Sequence, residues 1–512
     1  MSVELKNYQT NDSLPLRLFH KDSSSYGLEF SYRNRILKTD SLHFKAIGSS
    51  FEVRGQEADS IRLRTPTTED GRFIEFVYKL KGSSYQVDHK VHIKGLDREM
   101  NEDPTLHWSY KNLSTEKSMS GQQRISTVCY KYQGGESSYL TQQGKGSIKN
   151  LVTTVEWVSF KQRFFSSILI SDRGFGTYNA NLQVEDLNSE RYVSHYKANL
   201  TLPFDNAGNK SFPMSFFFGP NKYELLASYE RNFEGTMNLG WGIIGWINEY
   251  LIIPIFGMLD ESGLNYGIVI LILTLIIKTI LFPLTYKSFL SGAKQRVLKP
   301  EIDALQEKYK GSDDQMKQQQ EMMALYKKSG VNPMAGCLPM FIQLPILIAM
   351  YRFFPTSIEL RQEPFLWASD LSSYDSILSL PFNIPFYGDH VSLFTLLMFA
   401  STMIYTKLSS SQMGGGGNQQ MPQMKVMMYI FPIFILFIFN SWPAGLSYYY
   451  FTANVISICQ MLIVKHWIID EDELKRKIEE NKKKPQKEKK ASKFQKRLED
   501  MAKQKGYKPP NK

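Results

Sequence analysis

Hydrophobic and polar residues alternate in short segments between residues 26 and 220, and turn residues separate the segments. The clearest segments are GLEFSYRNRIL, RFIEFVYKL, YQVDHKVHIKG, VTTVEWVSF and RYVSHYKANLTL, with Gly, Ser, Asn and Asp between them. A period of two that includes aromatic and β-branched residues is typical of β-strands with one buried face. Many such strands in one stretch predict an all-β sandwich domain over residues 1–230.

Long apolar runs replace this alternation between residues 240 and 467. A helix of about 17 to 20 residues spans the hydrocarbon core of a bilayer. Five runs of about this length are predicted to cross the membrane, at residues 267–286, 334–354, 391–407, 425–440 and 445–467. The predicted fold class is therefore multidomain, with an all-β domain followed by an α-helical membrane domain over residues 267–467.

Residues 240–259, GWGIIGWINEYLIIPIFGML, are apolar but contain Asn248, Glu249 and Pro254. The segment also carries two tryptophans, and tryptophan favours the headgroup level of a membrane. We therefore predict an amphipathic helix that lies in the membrane interface. The alternative is a transmembrane span, which would leave the β-domain in the cytosol.

Basic residues distinguish the two sides of the membrane domain. Residues 287–333 have helical spacing on both sides of the turn GSDD, which predicts a helical hairpin outside the membrane. The hairpin and the tail at residues 468–512 are rich in lysine, whereas Arg361 is the only lysine or arginine of residues 355–390. Because cytoplasmic loops are enriched in Lys and Arg, we expect the hairpin and the tail in the cytoplasm and the β-domain outside it. The formal net charge of +11 is interpreted as largely cytosol-facing.

An external β-domain requires a signal or an anchor. The first twenty residues, MSVELKNYQTNDSLPLRLFH, have no apolar core of the signal-peptide kind. We therefore expect the protein to have a first transmembrane segment that this sequence does not include.

One charged residue, Lys278, lies about a dozen residues into the first predicted span. An ammonium at the centre of a bilayer costs about 2.5 to 3.5 kcal/mol on insertion scales. The five predicted spans contain no Asp or Glu, and Lys278 is far from the end of its segment. We interpret it as the charge of a water-filled cavity within the membrane domain. A neutral lysine with a lowered pKa is the alternative.

Other polar residues of the spans favour such a cavity. Four of them recur at spacings of three, four and three in the last span and share one helical face: Ser447, Tyr450, Asn454 and Ser457. Thr274 lies one turn before Lys278, and Gln343 lies within the second span. Interhelical hydrogen bonding is the alternative interpretation of all these residues.

The sequence gives little indication of catalysis. Six of the eight histidines lie in the β-domain, without a metal-ligand motif such as H-E-x-x-H. No nucleophile elbow or phosphate loop occurs in a plausible context, and the three cysteines are too far apart for a disulfide framework. We predict a protein that is not an enzyme and needs no metal or cofactor. A secondary transporter of a small anionic solute, with Lys278 as the anion site, is the alternative function, although no internal repeat supports it.

Several motifs of the chain are those of a known family: KTILFPLTYKS, EMMALYKKSGVNPMAGCLPMFIQLPI and WPAGLSYYYFTAN, with WVSFKQRFF and FFFGPNKYELL in the first half. Through these motifs the chain resembles the YidC/Oxa family of membrane protein insertases, in its Gram-negative bacterial form. The resemblance implies a periplasmic β-supersandwich domain and a core of five transmembrane helices in the inner membrane. It also implies a hydrophilic groove open to the cytosol and to lipid, a cytoplasmic helical hairpin and a cytoplasmic C-terminus.

The resemblance further implies roles for individual residues and partners. The family's groove charge is usually arginine and corresponds to Lys278, which lacks the planar fork of arginine. Substrate-contact positions of the family correspond to Thr274, Leu344, Leu347 and Tyr450. The implied function is a membrane protein insertase and chaperone for nascent membrane proteins in the lipid bilayer. The ribosome is an expected partner of the hairpin and the basic tail, and the Sec translocon is a further candidate.

Overall fold

The fold is described from a computed structural model. The described residues are 2–33, 35–67, 71–96, 100, 102–140, 146–203, 209–309, 314–332, 338–412 and 422–483. They form two compact units. The first unit comprises Met1–Ile280, Phe341–Tyr405 and Val426–Ile456, and the second comprises Leu281–Met340, Thr406–Lys425 and Ser457–Lys512. The turn of the predicted hairpin, the start of the second predicted span and most of the basic tail lie outside the described residues.

The described part of the first unit contains all the β-strands, in line with the alternating sequence pattern. The strands are β1 Val3–Gln9, β2 Pro15–Phe19, β3 Ser24–Tyr32, β4 Arg35–Lys38, β5 Lys45–Ile47, β6 Ala58–Arg64, β7 Phe73–Lys81, β8 Gln86–Lys94, β9 Thr105–Leu113, β10 Thr127–Tyr132, β11 Ser137–Tyr139, β12 Ser147–Asn150, β13 Val155–Lys161, β14 Phe165–Asp186, β15 Tyr192–Thr201, β16 Asn209–Pro220, β17 Leu378–Ile384 and β18 Gly388–Val391. The predicted β-rich domain is confirmed. GLEFSYRNRIL forms the two strands β3 and β4, because the chain turns at Arg33, whose φ is +48°.

One long strand, β14, organises the β-domain. Fourteen strands form one sheet whose main path is β4-β3-β9-β15-β14-β16-β8-β7-β6-β5. The first half of β14 pairs antiparallel with β13 and β16, whereas its second half pairs antiparallel with β12 and β15. The strand therefore joins two halves of the sheet. Trp108 of β9 stacks on Phe160 of β13 with ring centroids 3.8 Å apart, so the two halves share one aromatic core.

The described part of the second half of the sequence is mainly helical and also contains the short hairpin of β17 and β18. The helices of the chain are α1 Met119–Gln123, α2 Tyr223–Ala227, α3 Ile243–Ile247, α4 Ile253–Asp260, α5 Tyr266–Val297, α6 Lys299–Lys308, α7 Gln315–Ser329, α8 Leu338–Phe353, α9 Leu393–Gln412, α10 Pro422–Phe439, α11 Ala444–Ile463 and α12 Glu471–Lys483. Each of the five predicted spans coincides with one of α5, α8, α9, α10 and α11. The expectation of a helical region with apolar helices is confirmed.

Three described helical segments are long and apolar enough to cross a membrane: Ile243–Asp260, Tyr266–Val297 and Ala444–Ile468. Phe341–Phe353 and Tyr429–Phe439 are shorter apolar helices. The number of membrane crossings therefore stays a prediction. Helix α5 continues to Val297, past the predicted end at residue 286. The predicted boundary followed the onset of charge, which marks the edge of an apolar run and does not by itself end a helix.

The segment Ile243–Asp260 is one continuous helix despite its polar residues and its proline. Asn248–Ile252 form a π-helical turn between α3 and α4, and Pro254 follows directly after this turn. The buried amide of Asn248 donates hydrogen bonds to the carbonyls of Leu239 (2.6 Å) and Ala349 (3.1 Å). The side-chain N–H groups of Asn248 are therefore paired inside the protein, and the residue is fully buried.

Buried arginines connect the β-domain to the segment that follows α8. Arg361 Nε lies 3.0 Å from both carboxylate oxygens of Glu116, and the Arg361 guanidinium also donates to the carbonyl of Gln9. Both charged side chains are buried. Burial raises the pKa of the Glu116 carboxyl, and the positive charges of Arg361 and Arg163 act in the opposite direction. This ion pair fixes residues 355–390 against the β-domain.

The second unit has a small apolar cluster of its own. Leu298, Ile302, Val331 and Ile478 pack together, so α12 shares a core with α6 and with the end of α7. Arg296 lies 3.6 Å from Glu471, and Lys482 is paired with Glu301. Helix α12 is thus a packed part of this unit.

The substitution Arg361→Ala is expected to lower the free energy of unfolding by about 3–5 kcal/mol, because it leaves the buried Glu116 carboxylate without its partner. Arg17→Ala is the matched control, since Arg17 forms an exposed ion pair with Glu4 at 3.2 Å. The control should lose only about 0–1 kcal/mol. Denaturant unfolding of the purified protein in detergent, followed by tryptophan fluorescence, measures both changes. An equal decrease in the free energy of unfolding of the two variants would contradict a larger contribution from the buried ion pair.

Candidate functional site

Lys278 lies on the inward face of α5. Side chains at positions 269, 270, 273, 274, 277 and 278 are buried, whereas those at 271, 275 and 279 are exposed. This helical periodicity separates a protein-facing stripe from an apolar outer face. Only 4% of Lys278 is exposed, so its ammonium is directed into the protein, as is usual for ionisable residues of membrane domains.

The ammonium of Lys278 meets a polar side chain of α8. Its Nζ lies 3.5 Å from Oε1 of Gln343, so the two residues that the sequence placed in different spans are brought together. Thr274 is fully buried one turn earlier, and its hydroxyl donates to the carbonyl of Ile270 on the same helix at 2.6 Å. The amide oxygen of Gln343 stabilises the ammonium without cancelling its charge.

The polar face of α11 contacts the neighbouring helices through hydrogen bonds. The hydroxyl oxygens of Ser447 and Thr395 on α9 are 3.2 Å apart. The amide of Asn454 donates to the hydroxyls of Thr402 (2.8 Å) and Ser401 (3.2 Å), both on α9. These contacts agree with the alternative interpretation, in which the polar residues form hydrogen bonds between helices and do not line a cavity.

Tyr450 and Ser457 complete the predicted polar face of α11. The hydroxyl of Tyr450 donates to the carbonyl of Leu347 on α8 at 3.2 Å. Gln343 and Leu347 lie one turn apart, so α8 contacts α5 through the first and α11 through the second. Ser457 is buried and belongs to the second unit.

Another side of α8 is apolar and accessible. Leu344 is 51% exposed and Phe341 is also exposed, whereas Leu347, on the same side as Gln343, is half-buried. Pro345 lies inside the helix and has no N–H, so the Phe341 carbonyl lacks its usual intrahelical donor. Helix α8 therefore combines a polar inner face with an apolar outer face.

Helix α10 is the most loosely packed of these helices in its described part. Between Tyr429 and Phe439, Pro432 is the only buried side chain. Seven apolar or aromatic side chains of this stretch are exposed: Tyr429, Ile430, Phe431, Ile433, Phe434, Phe437 and Ile438. Such an extended apolar surface requires contact with lipid or with another apolar chain.

The hydroxyl partners on α9 are contact residues that the sequence reasoning missed. Thr395 and Thr402 are seven residues apart and lie on one helical face, as Ser447 and Asn454 do on α11. This matching spacing in the sequence could have indicated that the two helix faces contact each other. Among the described residues, no group of three or more His, Cys, Asp or Glu side chains is placed to hold a metal ion.

The fold and the site define a membrane protein that has an N-terminal β-domain and a group of apolar helices enclosing a buried lysine. Residues 1–253 match the YidC periplasmic domain family, and residues 258–473 match the 60Kd inner membrane protein family. The chain belongs to the YidC family of membrane protein insertases, as the sequence motifs predicted.

Three curated relatives show the extent of the similarity, and each is named membrane protein insertase YidC. The relative from Parabacteroides distasonis is 39% identical over 97% of this chain and 79% of its own length. One from Bacteroides fragilis is 38% identical, with 98% of this chain and 81% of the relative covered. One from Porphyromonas gingivalis is 36% identical, with the same coverage of 98% and 81%.

A double-mutant cycle on Asn454 and Thr402 tests whether their hydrogen bond holds α11 to α9. Asn454→Ala and Thr402→Val should each lower the free energy of unfolding, with a coupling of about 0.6 to 1.7 kcal/mol between them. The measurement is unfolding of the purified protein in micelles. Additive effects, with no coupling, would instead favour side chains that face a water-filled cavity.

Proposed function

We propose that this chain is a membrane protein insertase and chaperone that moves hydrophobic segments of nascent proteins into the bacterial inner membrane through a hydrophilic groove. The observation that carries the proposal is the position of Lys278, buried on the inward stripe of α5 beside Gln343. Membership of the YidC family supports it. No observation in the described residues favours the alternative of a small-solute transporter.

The proposed topology has five transmembrane helices, α5, α8, α9, α10 and α11. The β-domain, residues 1–230, is a periplasmic supersandwich, whereas the hairpin 287–333 and the tail 468–512 are cytoplasmic. The charge distribution of the loops supports this orientation.

Residues 240–259 are proposed to form the interfacial helix. Ile243, Trp246 and Tyr250 are exposed and share one helical stripe, whereas Ile244 and Asn248 are buried on another side of the helix. One exposed apolar and aromatic stripe beside a protein-facing stripe suits a helix at the headgroup level.

The proposed groove uses Lys278 to admit the polar part of a client. A short polar or acidic external segment loses less hydration free energy when it enters a wet, cationic site part-way across the bilayer than when it enters hydrocarbon. Gln343 and Thr274 are proposed to line this site with Lys278. Ser447, Asn454 and Ser457 are proposed as its polar wall, in addition to the hydrogen bonds that the first two form with α9.

The apolar part of the client is proposed to leave the groove toward lipid. Leu344, Leu347 and Tyr450 are the proposed substrate contacts, and the exposed side chains of α10 extend the apolar surface. Transfer of an apolar segment into lipid releases about 25 cal/mol per Å² of buried surface, so insertion needs no covalent step. The chain lowers the barrier for the polar segment, and the apolar segment supplies the driving force.

The substitutions Lys278→Arg and Lys278→Leu separate charge from shape. The Lys278→Arg variant should still insert clients. The Lys278→Leu variant should insert a client with an acidic external segment about tenfold or more slowly. The reason is that two charges a few Å apart interact by several kcal/mol at an effective dielectric constant of about 20. The measurement is protease protection of a single-span client in liposomes.

Lys287→Leu is the matched control for Lys278→Leu, since Lys287 is exposed on the same helix, outside the predicted span. The control should insert acidic clients normally. A client with a neutral external segment should be less sensitive to Lys278→Leu. Insertion by Lys278→Leu at the wild-type rate, with every client, would show that the charge is dispensable.

The basic tail is proposed to bind the ribosome through its charge, together with the hairpin, and the Sec translocon is proposed as a further partner. Truncation after Lys483 should weaken co-sedimentation with ribosomes and reduce its salt dependence, because fewer phosphate contacts remain. Truncation after Asp470 would also remove Ile478 from the cluster of the second unit and is the less specific test. Unchanged binding and an unchanged salt slope after the shorter truncation would exclude this role.

A further inference from the structure

A cavity in the first unit lies where the β-domain meets the ends of α8 and α11. Its volume is 520 Å³, within the range of roughly 300–1,000 Å³ that is usual for ligand sites. The β-domain contributes Arg124, Lys161 and Arg163, and the helix ends contribute Arg352 and Trp442. We call this space the junction cavity.

The lining of the junction cavity is strongly cationic. Four lining residues are basic, and no Asp or Glu is among the described lining residues: the basic residues are Arg124, Lys161, Arg163 and Arg352. The nearby carboxylate of Glu116 is already paired with Arg361. The carboxylate of Asp370 accepts hydrogen bonds from Ser372 and from the backbone N–H of Gln362, and it also acts electrostatically on Arg163. Because the four basic side chains of the lining outnumber these nearby carboxylates, the cavity carries an excess of positive charge.

Backbone carbonyls hold two of these arginines in place. Arg163 Nε donates to the carbonyl of Pro355 at 2.9 Å, and its Nη2 donates to the carbonyl of Ser372. Burial lowers the pKa of Arg163 to about 10, which leaves it charged at neutral pH. Arg124 donates to the carbonyl of Ser441 at 3.4 Å and lies over the ring of Trp442. Carbonyl partners orient these guanidinium groups without neutralising them.

Two buried polar atoms of the cavity lining have no hydrogen-bond partner among the described residues. One is Nζ of Lys161, a residue that is only 1% exposed, and the other is Oγ of Ser373. A buried ammonium without a partner is strongly unfavourable. Burial lowers the pKa of Lys161, and a bound anion would act in the opposite direction. An ammonium and a hydroxyl together match a ligand with several acceptor oxygens.

Aromatic residues place the cavity near the membrane surface. Tyr351 and Trp442 lie against each other, with ring centroids 4.5 Å apart, at the end of α8 and just before α11. Arg352 lies over the ring of Trp241, 5.8 Å from its centroid. Trp and Tyr are enriched at the headgroup level of membranes, where phosphate groups are abundant.

We propose that the junction cavity binds a phosphate group, supplied by the headgroup of an anionic phospholipid or by free phosphate. Lys161 donates to the phosphate oxygens, and the neighbouring guanidinium groups add positive potential. Charge-assisted hydrogen bonds of this kind are short and strong. The inference does not depend on the groove or on Lys278, so its failure and the failure of the insertase function are distinguishable.

The test compares the wild-type chain with Lys161→Met in nonionic detergent. Removal of a buried ammonium without a partner should leave the variant folded and at least as stable. Lys149→Met is the matched control, because Lys149 is exposed on β12 and does not line the cavity. Arg352→Gln is a second cavity variant that keeps Lys161.

The probes are phosphatidylglycerol, phosphatidylcholine and inorganic phosphate at matched ionic strength, each titrated while the midpoint of thermal unfolding is recorded. A phosphate ligand that binds should raise the midpoint of thermal unfolding by about 2–4 °C or more, both in the wild type and in Lys149→Met. Lys161→Met should bind that ligand roughly tenfold more weakly, and Arg352→Gln should also be weakened. Native mass spectrometry counts the phosphatidylglycerol that remains bound.

The outcomes separate the two sources of phosphate. Stabilisation by phosphatidylglycerol but not by inorganic phosphate identifies a lipid headgroup, and the reverse identifies free phosphate. Equal binding by wild type and Lys161→Met, or no stabilisation by either ligand, would overturn the proposal. Binding of a hexaglutamate peptide that depends on Lys161, without binding of either phosphate ligand, would overturn it in favour of an acidic protein segment.

Discussion

Positive charge that is removed from water must meet polar or negative groups, and this constraint shapes both the fold and the candidate site. Arg361 enters the interior of the first unit because the carboxylate of Glu116 and the carbonyl of Gln9 accept hydrogen bonds from its guanidinium group. Without such partners the desolvation of a guanidinium would exceed any gain from packing. The charge pair of Arg361 and Glu116, together with the hydrogen bonds from Arg163 to the carbonyls of Pro355 and Ser372, therefore holds residues 355–390 against the β-domain.

Sequence periodicity predicted much of the architecture but few of the contacts between its parts. The alternation in RFIEFVYKL and RYVSHYKANLTL predicted β7 and β15, because a half-buried strand repeats every two residues. Arg361 was recognised as an isolated cation, yet its partner Glu116 lies 245 residues away in the chain. Pairing at such a distance leaves no local pattern. The contact of Lys278 with Gln343 depends in the same way on how helices pack.

The helices around the candidate site differ in how firmly they are held. Hydrogen bonds from Ser447 and Asn454 connect α11 to α9, whereas the described part of α10 buries little beyond Pro432. The proposed mechanism uses both properties, because a rigid polar wall would keep the proposed groove formed while an apolar side would separate to release a client. We therefore infer that α9 and α11 form the rigid side of the proposed groove and that α10 forms the side that moves.

The kind of partner that a buried cation meets distinguishes structural from functional charge in this chain. Glu116 neutralises Arg361, so that pair contributes a contact but little external field. Gln343 offers Lys278 an amide oxygen, and Pro355 offers Arg163 a carbonyl oxygen; neither acceptor brings a negative charge of its own, although the carboxylates of Glu116 and Asp370 also act on Arg163. A field that persists in a poorly hydrated site is strong, since little solvent screens it. Selection of neutral acceptors is thus a physical means of keeping a cation buried and still able to attract an anionic segment or headgroup.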